Sequence, residues 1–332
     1  MAMEQLAGKH SVFFAYRFDE MAGRLDPSIP RLKVPFTHLY HPGSFRILAD
    51  FVKKRDIECI VSTKRKEYNL CGLVASYTKI KHIIRLGIVR KLKVPIWDRI
   101  LYGHLNNGII VNAKAIEDTL RRAPYMKNHP IKLIYNGVSI PALSPPNAED
   151  EYFTITSVGS LLPRKGFDLL IRALDYLPQD LLRRTRLCII GSGPEEENLR
   201  RLISESKVRD AVTLHGSSVY PQDIVQESDL FVLLSLNEGV PNAVLEAMAV
   251  GVPVLVTPAG GLGEIIQDDV NGFLMDDTSP TAVAERLRNL SRRKDLGEIG
   301  FAGRNLVERE FSLEKMGSTL EEFLSEMIYG SP

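Results

Sequence analysis

The stretch LLSLNEGVPNAVLEAMAVGVPVLVT, residues 233–257, carries two carboxylates beside a predicted helix start. An apolar strand pattern is followed by a turn at Glu238 and Gly239, and a helix pattern begins near Pro241. The first turn of a helix offers backbone N–H groups and the positive end of the helix dipole, which suit an anion such as a diphosphate. Glu246 lies further along the helix, where a carboxylate suits a pair of sugar hydroxyls such as those of a ribose.

Two adjacent cations mark a second stretch, SVGSLLPRKGFDLL, residues 157–170. Arg164 and Lys165 come at the start of a predicted helix, a position that favours anions over cations. An anion bound between them would resolve this conflict, and a solvated pair of cations is the alternative. The two glutamates are likewise open to a plainer interpretation as surface carboxylates, because glutamates eight residues apart are common.

Small residues follow the strand patterns on either side of these stretches. Ligands bind at the carboxyl ends of parallel strands, so these residues are candidates for contact with the same ligand. No G-x-G-x-x-G run is present, which argues against a nicotinamide cofactor. The candidates are Gly159, Ser160, Gly191, Gly216 and Ser217.

The elements that must hold these residues alternate between strand and helix through the second half. Short, fully apolar strands separated by helices predict a parallel sheet covered on both faces. The predicted strands span 153–159, 186–193, 211–216, 229–235 and 252–257.

The first half predicts a similar α/β lobe, followed by a linker rich in Pro and Ser at 139–151. Two Rossmann-like, doubly wound lobes facing a cleft are therefore expected. The expected domains are a first lobe at 1–143 and a second lobe at 144–312, with the ligand site at the carboxyl ends of their strands. An amphipathic helix within 313–332 is expected to pack back toward the first lobe.

Composition indicates an ordinary globular chain, with 44% hydrophobic and 25% charged residues. We find neither a secretory signal nor a run of the ~20 apolar residues that cross a bilayer. Three cysteines without metal-like spacing argue against a disulfide framework and a zinc site, and favour a reducing cytoplasm. Residues 1–150 carry 24 Lys and Arg against 13 Asp and Glu. Such a basic half suggests an anionic partner, although attraction to the acidic second half is an alternative.

The second half resembles family 4 glycosyltransferases over about residues 151–290, and more loosely from YNGV at 135–138. Five ordered runs carry the resemblance: VGSLLPRKGFDLLIRAL, LCIIGSGPEEENLRRL, VTLHGSS, DLFVLLSLNEGVPNAVLEAMAVGVPVLVTPAGGLGEII and NGFLM. The resemblance implies a GT-B fold and retaining transfer from a nucleotide-diphosphate sugar. It also implies a reaction without a metal or another cofactor.

The resemblance assigns roles at the matching positions. Glu246 would hold the ribose hydroxyls, Glu238 would face the donor sugar, and Lys165 would neutralise the departing diphosphate. The family usually has Arg where this chain has Ser160, and Arg164 is expected to substitute for it. Backbone contacts to the donor would come from Gly239, Val240, Pro241 and Asn242.

The first lobe departs from the family pattern. The family's first strand and glycine-rich loop are missing, since MAMEQLAGKH resembles the end of the helix that follows that loop. Either the start is truncated or the first lobe is built smaller, and both alternatives put the activity of this chain in question. The family's histidine near the sugar is also not evident, and HIIRLGI offers Arg85 in that neighbourhood.

The basic residues of the first half suit an anionic acceptor. Lys64, Arg65 and Lys66 follow a strand pattern, and we expect them to bind the acceptor together with Arg85. The stretch 79–101 interleaves cations with Ile, Leu and Trp97, which favours docking on an anionic membrane surface, with a solvated basic face as the alternative. Nucleic acid is not expected, because aromatic stacking positions are sparse.

These observations predict a retaining, metal-independent glycosyltransferase in the cytoplasm, peripheral on the inner face of the membrane. Its acceptor would be a glycan or a lipid-linked molecule, of the surface polysaccharide or lipopolysaccharide type. A non-catalytic nucleotide-sugar-binding module that needs a partner is the alternative. The base, the sugar and the acceptor are not evident from the sequence.

Overall fold

A computed structural model describes residues 2–19, 26–37, 41–88, 95–143 and 151–330. Two compact units divide the chain: Met1–Gly137 with Leu313–Pro332, and Val138–Ser312. Within the described ranges, no helix is both long and apolar enough to cross a membrane.

The first unit is built on short parallel strands. They are β1 (Phe14–Tyr16), β2 (Arg31–Lys33), β3 (Cys59–Ser62), β4 (Lys81–Leu86), β5 (Gly108–Val111) and β6 (Ile131–Leu133). Strands β3 to β6 form one sheet in chain order, and β1 pairs with β2. All four residues of β5 are buried, as expected for a strand covered on both faces.

Among the described residues of the first unit, five α-helices precede the second unit in the chain: α1 (Ala2–Ala7), α2 (Pro42–Lys54), α3 (Arg65–Thr78), α4 (Pro95–Gly103) and α5 (Lys114–Arg121). Helices α2 and α3 cover one apolar cluster, centred on Val34, Leu48 and Val74. The sequence patterns missed α3, because its basic first turn suggests a loop. The helix ends at Lys79, which has the left-handed backbone conformation (φ 60°).

The second unit contains a six-stranded parallel sheet. Its strands are β7 (Phe153–Val158), β8 (Thr185–Ile190), β9 (Val212–Gly216), β10 (Leu230–Leu233), β11 (Val254–Val256) and β12 (Phe273–Leu274). Their spatial order is β12-β11-β10-β7-β8-β9. The five strands predicted for this half are present, and the sequence patterns missed only the two-residue strand β12.

Helices cover this sheet and bury its side chains on both faces. They are α6 (Phe167–Leu174), α7 (Gln179–Arg183), α8 (Glu196–Glu205), α9 (Gln222–Val225), α10 (Asn242–Ala249), α11 (Leu262–Ile265), α12 (Pro280–Leu290) and α13 (Leu296–Glu310). Strands β10 and β11 are buried at every position. The prediction of an α/β fold with parallel sheets is confirmed.

The last helix, α14 (Leu313–Tyr329), belongs to the first unit. Its Met316, Leu320 and Phe323 form an apolar cluster with isoleucines of β4 and β5. The amphipathic spacing of the sequence therefore reflects packing on the first sheet. Its contact with α1 is close, since a Cβ added at Gly317 would lie 2.9 Å from Cβ of Gln5.

Candidate functional site

The order of strands in the second unit sets the position of the candidate site. Chain order runs outward from β7 through β8 to β9 on one side, and from β10 through β11 to β12 on the other. The loops that follow β7 and β10 therefore leave the same edge of the sheet in opposite directions. Ligands of doubly wound domains bind at such a switch point, at the carboxyl ends of the strands.

Three charged side chains from these two loops meet at the switch point. The Nζ atom of Lys165 lies 2.6 Å from Oε1 of Glu238, and Nη1 of Arg164 donates to the same oxygen at 3.0 Å. Lys165 is 9% exposed and Glu238 is 7% exposed. Because two cations share one carboxylate, the cluster retains a net positive charge and can attract an anion.

The cations lie on a short 3₁₀ turn, Pro163–Lys165, which precedes α6 rather than forming its first turn. Gly166 follows with φ 71°, and a Cβ atom there would lie 2.3 Å from the carbonyl oxygen of Leu234. The amide of Leu236 donates to the carbonyl of Arg164 at 2.8 Å. The glycine thus lets the loop after β7 pack directly on the loop after β10.

Glycines also bring the ends of β7, β8 and β9 together. A Cβ atom at Gly191 would lie 1.9 Å from the carbonyl oxygen of Gly159, and the Gly191 amide donates to Gly216 at 2.8 Å. A Cβ atom added to Gly159 would lie 3.7 Å from Nζ of Lys165. The predicted glycines therefore form one row that leads from β9 to the charged cluster.

A further glycine pair, which the sequence patterns did not assign to the site, supports Glu238. Gly260 has φ 63°, and its Cβ atom would lie 1.9 Å from the carbonyl oxygen of Glu238. The amide of Gly261 donates to the carbonyl of Gly239 at 2.8 Å. The run PAGGLGEII at 258–266 marks a glycine-bearing strand end at the same ligand edge in the sequence, although its glycines are not among the named candidates.

Helix α10 starts at Asn242 after Pro241, the position predicted from the sequence. Val240 is buried beside it. Glu246 lies on this helix, half-buried, and burial raises the pKa of its carboxyl group. Within the described part of the chain the Glu246 carboxylate has no hydrogen-bond partner, so it is available to a ligand.

The serines of this edge differ in their surroundings. Ser160 is exposed at the end of β7. Ser217 donates a hydrogen bond from its hydroxyl to the Ser192 hydroxyl at 2.8 Å, which joins the loops after β9 and β8. Neither hydroxyl contacts the charged cluster directly, so these two residues lie along the edge rather than at its centre.

The four candidate acceptor residues lie at the carboxyl edge of the first unit's sheet. Lys64 precedes α3 and Arg65 and Lys66 begin it, all three exposed. Arg85 is half-buried on β4, where burial lowers the pKa of its guanidinium. The Tyr68 hydroxyl donates to the Arg85 carbonyl at 3.1 Å.

A cavity of about 240 Å³ lies at the opposite, amino edge of the first sheet, next to His82. One His82 ring nitrogen lies 2.7 Å from Oγ of Ser62, and the other bonds the carbonyl of Leu105. Burial lowers the pKa of His82 to about 4, so the ring is neutral at pH 7. With both nitrogens occupied, this histidine stabilises the fold.

Comparison with known proteins places the second unit beside glycosyltransferase sequences. Residues 141–299 match the family described as glycosyl transferases group 1. The amylovoran biosynthesis glycosyltransferase AmsK of Erwinia amylovora is 34% identical over 186 residues, which cover 52% of this chain and 44% of AmsK. An uncharacterized glycosyltransferase of Methanocaldococcus jannaschii is 27% identical over 313 residues, covering 91% and 84% of the two chains. The chain thus spans less than half the length of some curated relatives.

The fold is shared with solved glycosyltransferase structures. Anabaena HepE, solved in complex with UDP-glucose, superposes with a TM-score of 0.78 over 90% of this chain and 86% of HepE, at 18% identity. Similarity at this level of identity establishes the architecture. The chain therefore has the GT-B type of α/β fold, and residues 141–299 of its second unit are similar to the glycosyl transferases group 1 family.

Proposed function

We propose that this chain transfers a sugar, with retention of configuration, from a nucleotide-diphosphate sugar to a glycan or lipid-linked acceptor. The observation that carries the proposal is the cluster of Lys165, Arg164 and Glu238 at the switch point of the second sheet. A buried cluster of net positive charge at this edge suits a diphosphate. The biosynthetic names of relatives such as AmsK favour a role in making surface polysaccharide.

The donor would be held by groups that the second unit already positions. Lys165 and Arg164 would bind the diphosphate oxygens, helped by backbone groups of Gly239 and by the start of α10. Glu246 would accept hydrogen bonds from both ribose hydroxyls, which fits its lack of a partner in the described residues. Glu238 would face the donor sugar.

The reaction would break the bond between the anomeric carbon and the leaving diphosphate oxygen. The acceptor oxygen would bond to that carbon on the same face, and its proton would pass to the leaving diphosphate. Negative charge grows on the departing oxygen, and Lys165 with Arg164 would stabilise it. One preorganised donor of this kind contributes about 3 kcal/mol to the transition state. We propose that these cations act in place of a metal ion and that no cofactor takes part.

The acceptor would bind to the first unit and carry negative charge. Three exposed cations at the end of β3, Lys64, Arg65 and Lys66, would provide long-range attraction, and Arg85 a closer contact. Electrostatic attraction of this kind raises the rate of encounter and weakens with added salt.

Helix α4 supports a peripheral association with an anionic membrane surface. Ile96, Trp97 and Ile100 are 68%, 61% and 39% exposed, and Arg99 is exposed beside them. Apolar side chains next to cations favour insertion at a lipid interface. The neighbouring basic residues at 89–94 lie outside the described part of the structure. We place the chain at the cytoplasmic face, since its three cysteines are unpaired.

A donor screen tests the proposed transfer. UDP-, GDP- and ADP-sugars are each added to the chain, and thermal stability and slow hydrolysis of the donor are measured. A donor at ~100 times its dissociation constant should stabilise the fold by ~2.7 kcal/mol. Stabilisation with hydrolysis or transfer supports the enzyme, stabilisation alone supports a binding module, and no response to any donor contradicts the proposal.

Membrane association has a direct reporter, because Trp97 is the only tryptophan of the chain. We expect its fluorescence to shift to shorter wavelength with vesicles that contain anionic lipid. Vesicles of neutral lipid should give a smaller shift. An unchanged spectrum with both types would contradict this part of the proposal.

A further inference from the structure

Three polar side chains form a row at the carboxyl edge of the first unit's sheet. Arg85 lies next to Ile110 in the pairing of β4 with β5. Side chains alternate between faces along a strand, so Asn112, two residues after Ile110, extends beyond it on the same face as Arg85. The Nη2 atom of Arg85 donates to Oδ1 of Asn136, which follows β6, at 2.8 Å.

An apolar layer lies next to this row, further from the carboxyl ends of the strands. Ile83, Ile110 and Ile134 pack against the side chains of α14 on that face. The sulfur of Met316 lies 4.0 Å from Nη2 of Arg85, at the border between the two layers. The polar row therefore borders a packed apolar layer.

Asn112 is the unusual member of the row. It is 5% exposed, and its Oδ1 atom is buried without a hydrogen-bond partner in the described part of the chain. A buried polar atom that has lost its water and gained no hydrogen bond destabilises the folded state. Such a cost in a well-packed unit points to a ligand that supplies the missing hydrogen bond.

Gly87 is the exposed residue that lies beside the amide of Asn112. Gly87 is exposed, and a Cβ atom added to it would lie 3.7 Å from Nδ2 and 4.0 Å from Oδ1 of Asn112. Its φ lies outside the left-handed region, so backbone conformation does not require glycine here. The missing side chain instead leaves the surface next to the Asn112 amide uncovered.

Arg85 adds a charge without a counter-ion. It is half-buried, and among the described residues it has no carboxylate partner. A guanidinium stays protonated under ordinary conditions and prefers planar, anionic oxygens. An acidic group next to a hydroxyl would therefore satisfy Arg85 and Asn112 together.

We propose that Arg85, Asn112 and Gly87 form a subsite for an acidic sugar residue of the acceptor. Arg85 binds the anionic oxygens, Asn112 accepts a hydrogen bond from a neighbouring hydroxyl, and Gly87 provides the space. The role as an acceptor subsite rests on the proposed function, whereas binding of an acidic sugar can be measured without transfer.

The test follows side-chain signals of the full chain by ¹H–¹⁵N NMR during titration with glucuronic acid, glucose 6-phosphate or glucose. We expect saturable shifts of the Asn112 amide and the Arg85 guanidinium with an acidic sugar, and smaller ones with glucose. The two acids separate carboxylate from phosphate recognition. Gly87→Ala should weaken binding at least about tenfold, or 1.4 kcal/mol. Gly8→Ala is the control, because its added Cβ meets no atom within 4 Å.

Absence of a saturable shift with both acidic sugars would overturn the subsite, as would equal binding to wild type and Gly87→Ala. Arg85→Lys adds a second check, since it keeps the charge but loses the planar pair of donors, and should reduce the preference for acidic sugars. Saturable acid binding by a chain that neither binds nor hydrolyses any sugar nucleotide would contradict the proposed transfer alone.

Discussion

The carboxyl edges of the sheets in the two units differ in whether their charged side chains have partners of opposite charge. In the second unit, Lys165 and Arg164 bind the carboxylate of Glu238, so the cations have an internal partner. In the first unit, Arg85 has no carboxylate partner and Asn112 keeps a buried oxygen without a hydrogen bond, within the residues described. The second edge is held in place by its own contacts, whereas the first has polar groups that a ligand would satisfy.

This difference fits the two proposed roles, catalysis at the edge of the second unit and acceptor recognition at the edge of the first. A group that stabilises a transition state must be oriented before the reaction, and glycine-mediated loop contacts with an internal ion pair provide that order. A group that recognises an acceptor can stay unsatisfied until the acceptor binds, at some cost in stability.

The largest effect is expected from Lys165→Ala. The substitution removes a buried cation from the position proposed for the leaving diphosphate, and turnover should fall about 100-fold, or about 3 kcal/mol. Steady-state rates of transfer or donor hydrolysis measure the change. Lys294→Ala is the matched control, since Lys294 is exposed in the same unit. Equal rates in both variants would show that the cluster is structural.

Gly260→Ala should destabilise the second unit by about 2 kcal/mol, because its positive φ and the contact with Glu238 force the backbone to move. Denaturant unfolding measures this. The control Gly297→Ala lies at the start of α13 with no atom within 4 Å of its added Cβ, and should be neutral or stabilising. A neutral Gly260→Ala would mean that the supporting loop is not fixed.

Glu238→Gln removes the carboxylate that pairs with Lys165 and Arg164. The cations of the second unit then lack a carboxylate partner, as Arg85 does in the first unit. UDP, or the matching nucleoside diphosphate, should then bind about tenfold more tightly, or 1.4 kcal/mol, since it no longer displaces an internal anion. Turnover should fall at the same time, because the group facing the sugar has changed. Calorimetric titration measures the nucleotide affinity of both proteins. Weaker binding by Glu238→Gln would contradict a competition between the Glu238 carboxylate and the diphosphate for the two cations.

Asn112→Leu makes the opposite change in the first unit, by removing a buried polar group that has no partner. We expect a gain of about 1 kcal/mol in unfolding free energy. Asn106→Leu is the contrast, because both ends of that buried amide are bonded, to His129 and to the Leu101 carbonyl, and its loss should destabilise. A loss of stability in both variants would indicate that Asn112 is satisfied in solution.

The smallest effect concerns pH. Burial raises the pKa of Glu246, so this carboxyl group takes up its proton at a higher pH than an exposed glutamate does as the pH falls. A protonated carboxyl can no longer accept from both ribose hydroxyls, and nucleotide affinity should drop a few-fold toward acidic pH. Glu246→Gln should bind more weakly at pH 7 but lose this dependence. Parallel profiles in the two proteins would refute the ribose contact.

The sequence predicted the sheet of the second unit and the edge at which the candidate residues lie, because buried parallel strands leave short apolar runs followed by glycine. It did not reveal that Lys165 pairs with Glu238, since 73 positions separate them and only the strand order brings them together. The support from Gly260 depends on the same order.

In the first unit the patterns were less informative. Helix α3 starts with two basic residues after the N-cap Lys64, and these cations oppose the helix dipole, so its first turn does not show the usual pattern of a helix start. Asn112 gives no signal in the sequence, because a polar residue after a strand usually reaches water or caps a helix. Its unmet oxygen depends on packing by neighbouring strands.

Calorimetric titration of UDP, GDP and ADP into the wild type, Lys165→Ala and Glu246→Ala tests the central claim most directly. The account predicts that at least one of these nucleotides binds the wild type, and that each substitution weakens binding about tenfold or more, while Glu298→Ala, at an exposed glutamate of α13, binds as the wild type does. Failure of all three nucleotides to bind, or equal affinity in all four proteins, would contradict it.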